Sequence, residues 1–327
     1  MVLARVGQAA VERWAVYRSA LNQGFCGKAA ILAVLAALSG CGPRASPPGE
    51  PEFVWGRRGI SDGRLQKPRA LAIDAADRLY VVDMTARIQV FDADGQFLRK
   101  WQTPAHYNGR PTGISIDRKG RVLVPDTHYF RLLIYSPEGT LEQTIGGVHG
   151  SGPGEFGFVT DAVQDTEGNY YVSEYGAFDR IQKFTASGKY VLEWGGHGSE
   201  PGQFVRPQSM AMDEQDRIWV ADACNHRIQV FDRQGKLLAH WGRLGAKPGE
   251  LSYPYGLTFD ADGNVLVCEY GNHRVQKFTR EGKSLGCWGG HGRALGEMHN
   301  PWAVACDSLG RIHVLDTNNH RVQRIRL

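Results

Sequence analysis

From residue 68 onward, short apolar bursts alternate with polar, glycine-bearing turns, and the same pattern is written six times. Its clearest mark is an arginine leading an apolar strand: Arg87-Ile88-Gln89-Val90-Phe91, then Arg131-Leu132-Leu133-Ile134-Tyr135, Arg180-Ile181-Gln182-Lys183-Phe184, Arg227-Ile228-Gln229-Val230-Phe231, Arg274-Val275-Gln276-Lys277-Phe278 and Arg321-Val322-Gln323-Arg324-Ile325. Successive arginines lie 44, 49, 47, 47 and 47 residues apart. Each unit reads as four short strands. The first ends near an acid (Asp74, Asp117, Asp165, Asp213, Asp260, Asp307) and turn formers follow. A β-branched and aromatic second strand runs to another acid and a polar loop, the arginine opens the third, and a glycine turn leads to a fourth that commonly ends in Trp-Gly. Units of this size cannot bury both faces alone, so they must stack on one another.

Six four-stranded units around an axis predict an all-β, six-bladed β-propeller. The sixth unit stops at Leu327, after its third strand, and leaves an edge open. Glu52-Phe53-Val54-Trp55-Gly56, ahead of the first unit, reads as an orphan fourth strand beside Glu193-Trp194-Gly195 and His240-Trp241-Gly242. The N-terminal strand is therefore expected to complete the last blade and lock the ring.

Asn225-His226-Arg227, Asn272-His273-Arg274 and Asn319-His320-Arg321, with the approaches Pro201-Gly202-Gln203-Phe204 and Pro248-Gly249-Glu250-Leu251, resemble NHL repeats, and the likeness covers residues 53–327. Blade 2 departs most, with Tyr129-Phe130-Arg131 in the loop and Ile145 where tryptophan is expected.

The chain has 327 residues with 41 Gly, 33 aromatic residues and 6 Cys, and it lacks a long uninterrupted apolar run, which excludes a disordered chain, a disulfide-stapled miniprotein and a polytopic helical membrane protein. Residues 1–28 carry Arg5, Arg13, Arg18 and Lys28 against the single acid Glu12, and an apolar segment, Ala29 to Leu38, follows. That segment is too short to span a bilayer, which takes about 20 helical residues. It closes on Leu38-Ser39-Gly40-Cys41, which resembles the lipobox of bacterial lipoproteins. The resemblance implies cleavage before Cys41 and acylation of its thiol. The basic stretch is long for such a signal, which suggests a translation start downstream of Met1. The expected organisation is a signal peptide at 1–40, a lipidated Cys41 with a Pro- and Gly-rich tether at 41–52, and the propeller at 53–327. It would be lipid-anchored outside the cytoplasm, facing the periplasm or the cell surface. Losing residues 1–40 lowers the net charge from +4 to +1, so nothing calls for a nucleic-acid partner.

In a ring of copies, a residue present in every blade serves packing, and a site for one ligand belongs where symmetry breaks. The acids Asp83, Asp126, Glu174, Asp222, Glu269 and Asp316 recur before all six arginines and are expected to bond loop amides or the arginine itself. His226, His273 and His320 belong to the motif. His149, His197 and His291 occupy matching interblade places, with Arg243 as the equivalent in its blade, on a circle too wide for one metal. The cysteines show no CxxC spacing, although one pair could meet across blades. In the related peptidylglycine amidating lyases, a histidine after the blade-opening proline binds zinc in the channel. Here those positions hold Arg69, Thr112, Thr160, Gln208, Tyr255 and Trp302, so no zinc, other metal or cofactor is expected and no catalytic residue is assigned. The symmetry-breaking residues are aromatic: Tyr129-Phe130 and Phe178-Asp179 replace Asn-His, with Tyr107, His128 and Tyr175 nearby. Together with Arg69, Tyr255 and Trp302 they form the candidate surface for a protein partner or a flat apolar or sugar-like ligand. The alternative is that these aromatic loops pack on one another. The function expected is a lipid-anchored binding or scaffold module of the bacterial envelope; the second reading is a channel-site lyase or hydrolase lacking the zinc histidines.

Overall fold

The computed structural model describes residues 49–327. Cys41 and residues 1–40, which the sequence reads as a signal peptide, lie outside the described residues.

Six four-stranded antiparallel sheets account for the described chain. Numbering strands a to d from the channel outward, blade 1 is Ala70–Ile73, Leu79–Val82, Arg87–Phe91 and Phe97–Gln102. Blade 2 is Ser115–Ile116, Val122–Asp126, Arg131–Tyr135 and Leu141–Gly146. Blade 3 is Phe158–Gln164, Tyr170–Tyr175, Arg180–Phe184 and Tyr190–Gly195, and blade 4 is Pro207–Met212, Ile218–Asp222, Arg227–Phe231 and Leu237–Trp241. Blade 5 is Pro254–Phe259, Val265–Glu269, Arg274–Phe278 and Ser284–Gly289. Blade 6 takes Ala303–Cys306, Ile312–Asp316 and Arg321–Ile325 from the C-terminal end. Its outer strand is Phe53–Trp55, paired antiparallel as Phe53 to Arg324, Val54 to Gln323 and Trp55 to Val322. The ring closes as the sequence implies, and Trp55 is buried against Phe91 with ring centroids 4.6 Å apart.

The apolar core is divided among the seams. Each of its six clusters joins two successive blades, as where Tyr80, Val82, Ile88 and Val90 of blade 1 meet Val122, Val124, Leu133 and Tyr135 of blade 2. This is what repeats of alternating strands demand, because one sheet leaves a hydrophobic face that only its neighbour can cover.

The recurrent polar residues hold the seams. All six motif arginines pair with the preceding buried acid at 2.6–2.9 Å. In five blades the guanidinium also reaches the carbonyls of the loop that enters its blade, as Arg227 does with Ser199, Glu200 and Gln203. The glutamine two residues on finishes the clamp: Gln229 accepts from the Gly202 amide at 2.8 Å and donates to the Gln203 carbonyl at 2.8 Å. Each motif histidine staples the next blade. His226, His273 and His320 accept at Nδ1 from the amides of Tyr253, Asn300 and Lys67 at 3.1, 2.9 and 3.0 Å. The residue before every motif arginine is left-handed, with φ between 41° and 61° at Ala86, Phe130, Asp179, His226, His273 and His320. That backbone is tolerated better by His and Asp than by Phe or Ala.

One sequence reading is corrected. The interblade bridges pair His149 with Phe156, His197 with Phe204, Leu244 with Leu251 and His291 with Met298, so the blade-4 counterpart of these histidines is Leu244, not Arg243. Cys224, Cys268, Cys287 and Cys306 are free thiols.

Candidate functional site

A strand that begins at the channel must turn its first side chain inward or along the axis, and three blades do this with a β-bulge. The register of strands a and b slips between Val159 and Asp161, Pro207 and Ser209, and Pro254 and Gly256. The residues released from pairing are Thr160, Gln208 and Tyr255, and bulges commonly re-aim side chains in this way at functional rims. Gln208 and Tyr255 join Arg69, Thr112 and Trp302 in lining the channel mouth, whereas Thr160 is fully buried, its hydroxyl bonded to Ser173 Oγ at 2.8 Å and to the Pro207 carbonyl at 2.6 Å. The channel below is a cavity of about 290 Å³.

Several predicted residues converge at this mouth. Tyr255 stacks on Tyr270 at 4.7 Å and meets Trp302 edge-on at 4.9 Å, and Trp302 meets Tyr270 at 5.7 Å. The Arg69 guanidinium lies 5.6 Å over Trp302. Arg206 lies 4.8 Å over Tyr175 and 5.3 Å over Tyr255. Burial lowers the Arg69 pKa; Tyr175 and Tyr270 oppose it, and the charges of Arg206 and Arg110 reinforce it. Burial raises the Tyr255 hydroxyl to about 12. His128 sits beside Arg69 and Arg110; burial lowers its pKa, a hydrogen bond with the Arg110 backbone opposes this, and the charges of Arg69 and Arg110 reinforce it. A Cβ at Gly109 would enter the His128 ring, which explains a glycine at that close approach.

The other predicted aromatics form a second group, running from the mouth into the seam between blades 2 and 3. Phe158 links them: it meets Tyr175 and His128 at 5.3 Å and Phe130 at 6.1 Å. Phe130 packs on His149 at 4.7 Å, and His149 approaches Phe178 at 6.4 Å. Tyr129 covers the Arg131 guanidinium at 5.2 Å and Phe178 covers Arg180 at 5.2 Å. These loops pack on one another. Tyr107 stands apart, 88% exposed and stacked on His106.

Four residues that matter here escaped the sequence reading: Arg110, Arg206, Tyr270 and Asp161. A signal existed for three of them. The column before the blade-opening residue reads Lys67, Arg110, Phe158, Arg206, Tyr253 and Asn300, which places two arginines beside the ring. The column at the channel wall reads Ala70, Gly113, Asp161, Ser209, Gly256 and Ala303, so Asp161 is the lone charged side chain where five blades carry small ones. Asp161 is buried, accepts from the amides of Ala162 at 2.9 Å and Met210 at 2.8 Å, and its carboxyl is pushed up to about 7 by burial. Among the described residues no group of three or more His, Cys, Asp or Glu side chains is arranged to hold a metal ion.

The NHL repeat profile matches residues 204–231, 251–278 and 298–325. Rat peptidylglycine alpha-amidating monooxygenase is 34% identical over 186 residues, covering 54% of this chain and 18% of that protein. Mouse NHL repeat-containing protein 3 is 30% identical over 175 residues, covering 48% of this chain and 49% of that protein. The matched stretch thus spans about half of one relative and under a fifth of the other. Among solved structures, a streptogramin B lyase superposes with a TM-score of 0.58 at 16% identity over 83% of this chain and 85% of its own, a likeness of fold. The chain is a six-bladed β-propeller, closed by its N-terminal strand and carrying NHL repeats in its last three blades.

Proposed function

We propose that this propeller is a lipid-anchored binding or scaffold module of the bacterial cell envelope, and that its channel mouth is the docking site. The observation that carries the docking site is the convergence of Arg69 and Arg206 with Tyr175, Tyr255, Tyr270 and Trp302 on one opening. A site built for recognition needs shaped, partly apolar walls with a few polar groups, and the mouth meets that description. The anchor rests on the lipobox-like segment ending in Cys41. Acyl chains hold a protein at a membrane by roughly 0.8 kcal/mol per buried methylene, so Cys41→Ser should move the protein from the membrane fraction to the soluble one. Trp302→Ala should abolish crosslinked capture of an envelope partner without lowering the melting temperature. Full membrane retention of the Cys41→Ser variant would sink the anchor, and intact capture by Trp302→Ala would sink the docking site.

A channel-site lyase or hydrolase is the second reading, and Asp161 favours it. Its carboxyl, raised to about 7, is poised for proton transfer near neutral pH inside a cavity. Related sequences and folds include the monooxygenase and the lyase named above. A turnover lost in Asp161→Asn with the fold intact would move the assignment to an enzyme.

A further inference from the structure

The fold neutralises its buried guanidinia wherever the repeat allows, with an acid for every motif arginine. The cations at the channel mouth break that rule. Among the described residues, Arg69, Arg110 and Arg206 have no carboxylate partner. Arg110 is turned onto main-chain carbonyls of Met84, His106 and Gly109, and Arg206 donates from Nε to Gln208 Oε1 at 3.0 Å. The Arg69 guanidinium makes no hydrogen bond to the described residues and rests on the Trp302 ring. Like charges held close together in a partly dry site repel, and this repulsion persists until something negative arrives.

Resting on the reading of the mouth as a docking site, we propose that it binds an oxyanion, carboxylate or phosphate, carried on a flat aromatic body. Arg69 is its main charge partner, Arg206 and Arg110 flank it, and Tyr270 and Trp302 supply stacking faces. Free valences of one sign set the charge of the ligand: the unpartnered groups of the three arginines are donors, so the complement is acceptor-only. A cationic ligand is excluded by the same geometry, because Arg206 already covers Tyr175 and Tyr255, and Arg69 covers Trp302. The cavity of about 290 Å³ has room for one or two rings, since a cavity of roughly 150 Å³ admits benzene. His128, whose pKa is lowered by burial and further by the charges of Arg69 and Arg110, gains a proton more readily once an anion offsets those charges.

The test uses the full chain in detergent micelles, with benzoate, phenyl phosphate and N-acetylphenylalanine as anions and benzamide and N-acetylphenylalanine amide as neutral counterparts, followed by tryptophan fluorescence and calorimetry. The anions should bind at least tenfold more tightly than their neutral counterparts, with affinity falling as salt rises. Preference for N-acetylphenylalanine would assign the oxyanion to a peptide end, and preference for benzoate or phenyl phosphate to a free small molecule. Either preference supports the proposal. Arg69→Gln should weaken anion binding about tenfold or more and leave the ligand-free melting temperature unchanged or raised, because repulsion is relieved. Equal binding of benzamide and benzoate, no anion binding at millimolar concentration, or a lowered ligand-free melting temperature in Arg69→Gln would overturn it. Partner capture kept in Arg69→Gln but lost in Trp302→Ala would overturn the oxyanion and leave the docking site standing.

Discussion

The seam between blades 3 and 4 and the seam between blades 1 and 2 are built from the same repeat and solved differently. At the first, Arg227 and Gln229 grip the incoming loop, and Phe204 plugs the space beneath it, fully buried. At the second, the incoming segment Thr103 to Arg110 is shorter and carries Asn108 where the other seams place Leu65, Phe156, Phe204, Leu251 or Met298. Arg131 finds no loop carbonyl and is covered by Tyr129 instead, and Leu133 stands in place of the clamp glutamine. Buried polar atoms are left over: Asp126 Oδ1, Arg131 Nη2, His106 Nδ1 and His128 Nδ1 have no partner among the described residues. Burial, opposed only by Arg131, pushes the Asp126 carboxyl up to about 6. The lesson is that this ring tolerates one imperfect seam, and that the imperfection adjoins the mouth, where Arg110 and His128 project. Polar groups left unsatisfied in a native fold commonly mark function.

The sharpest way to break the comparison is to damage a regular seam at its closure. Deleting residues 53–56 removes Trp55 and exposes the strand Arg321–Ile325, costing about 5 kcal/mol or more. A truncated domain that melts with the intact one would show that closure by this strand is dispensable. Next, Arg274→Ala leaves Glu269 buried without its ion pair and empties the clamp on Ala246, Lys247 and Glu250, a loss of about 3–5 kcal/mol. Arg131→Ala should cost no more than about half of that, because its clamp is already absent. Equal losses by urea denaturation would erase the distinction between the seams.

A smaller effect sharpens it. Gln229→Leu orphans the Gly202 amide and removes one of the two donors to the Gln203 carbonyl, leaving Arg227, and should cost about 1–3 kcal/mol. Leu133→Gln, which restores the repeat consensus, should also destabilise, since no loop waits to receive the buried amide. Stabilisation by Leu133→Gln would mean that the blade-2 loop can be recruited after all.

The smallest predicted effect is on pH. His226, His273 and His320 have pKa values lowered by burial, with Arg58 and Lys67 adding for His320, and His291 and His299 for His273. Each must be neutral at Nδ1 to accept its staple, so the unfolded chain takes up protons first as pH falls. Their contribution is therefore complete above the unfolded value of about 6.5 and is lost progressively below it, down to the lowered folded values. Hydrogen exchange should show the amides of Tyr253, Asn300 and Lys67 opening below pH about 6.5. The amide of Arg206, held at 2.9 Å by Asp179, should keep its protection. Uniform opening of all four would remove the histidines from the explanation.

Much of this was legible in the chain. Arg-x-Gln occurs in five blades, and those same five are entered by a loop with glycine at position 63, 154, 202, 249 or 296; the blade with Leu133 lacks both. The alternation of apolar residues determined the strands, their number determined the propeller, and the outer-strand pattern at residues 53–55 marked the segment that pairs with Arg321–Ile325, covering its edge and adding a hydrophobic layer. Spatial neighbours across blades were not legible. Arg69 and Trp302 are 233 positions apart and become neighbours only when the ring closes, and Arg206 lies over Tyr175 and Tyr255, which come from different blades. Side-chain direction at the bulges, the lack of a described carboxylate paired with three guanidinium groups and the burial of Asp161 depend on distances through space. Local periodicity carries no information about those distances, so the tertiary structure alone decided what the channel mouth presents.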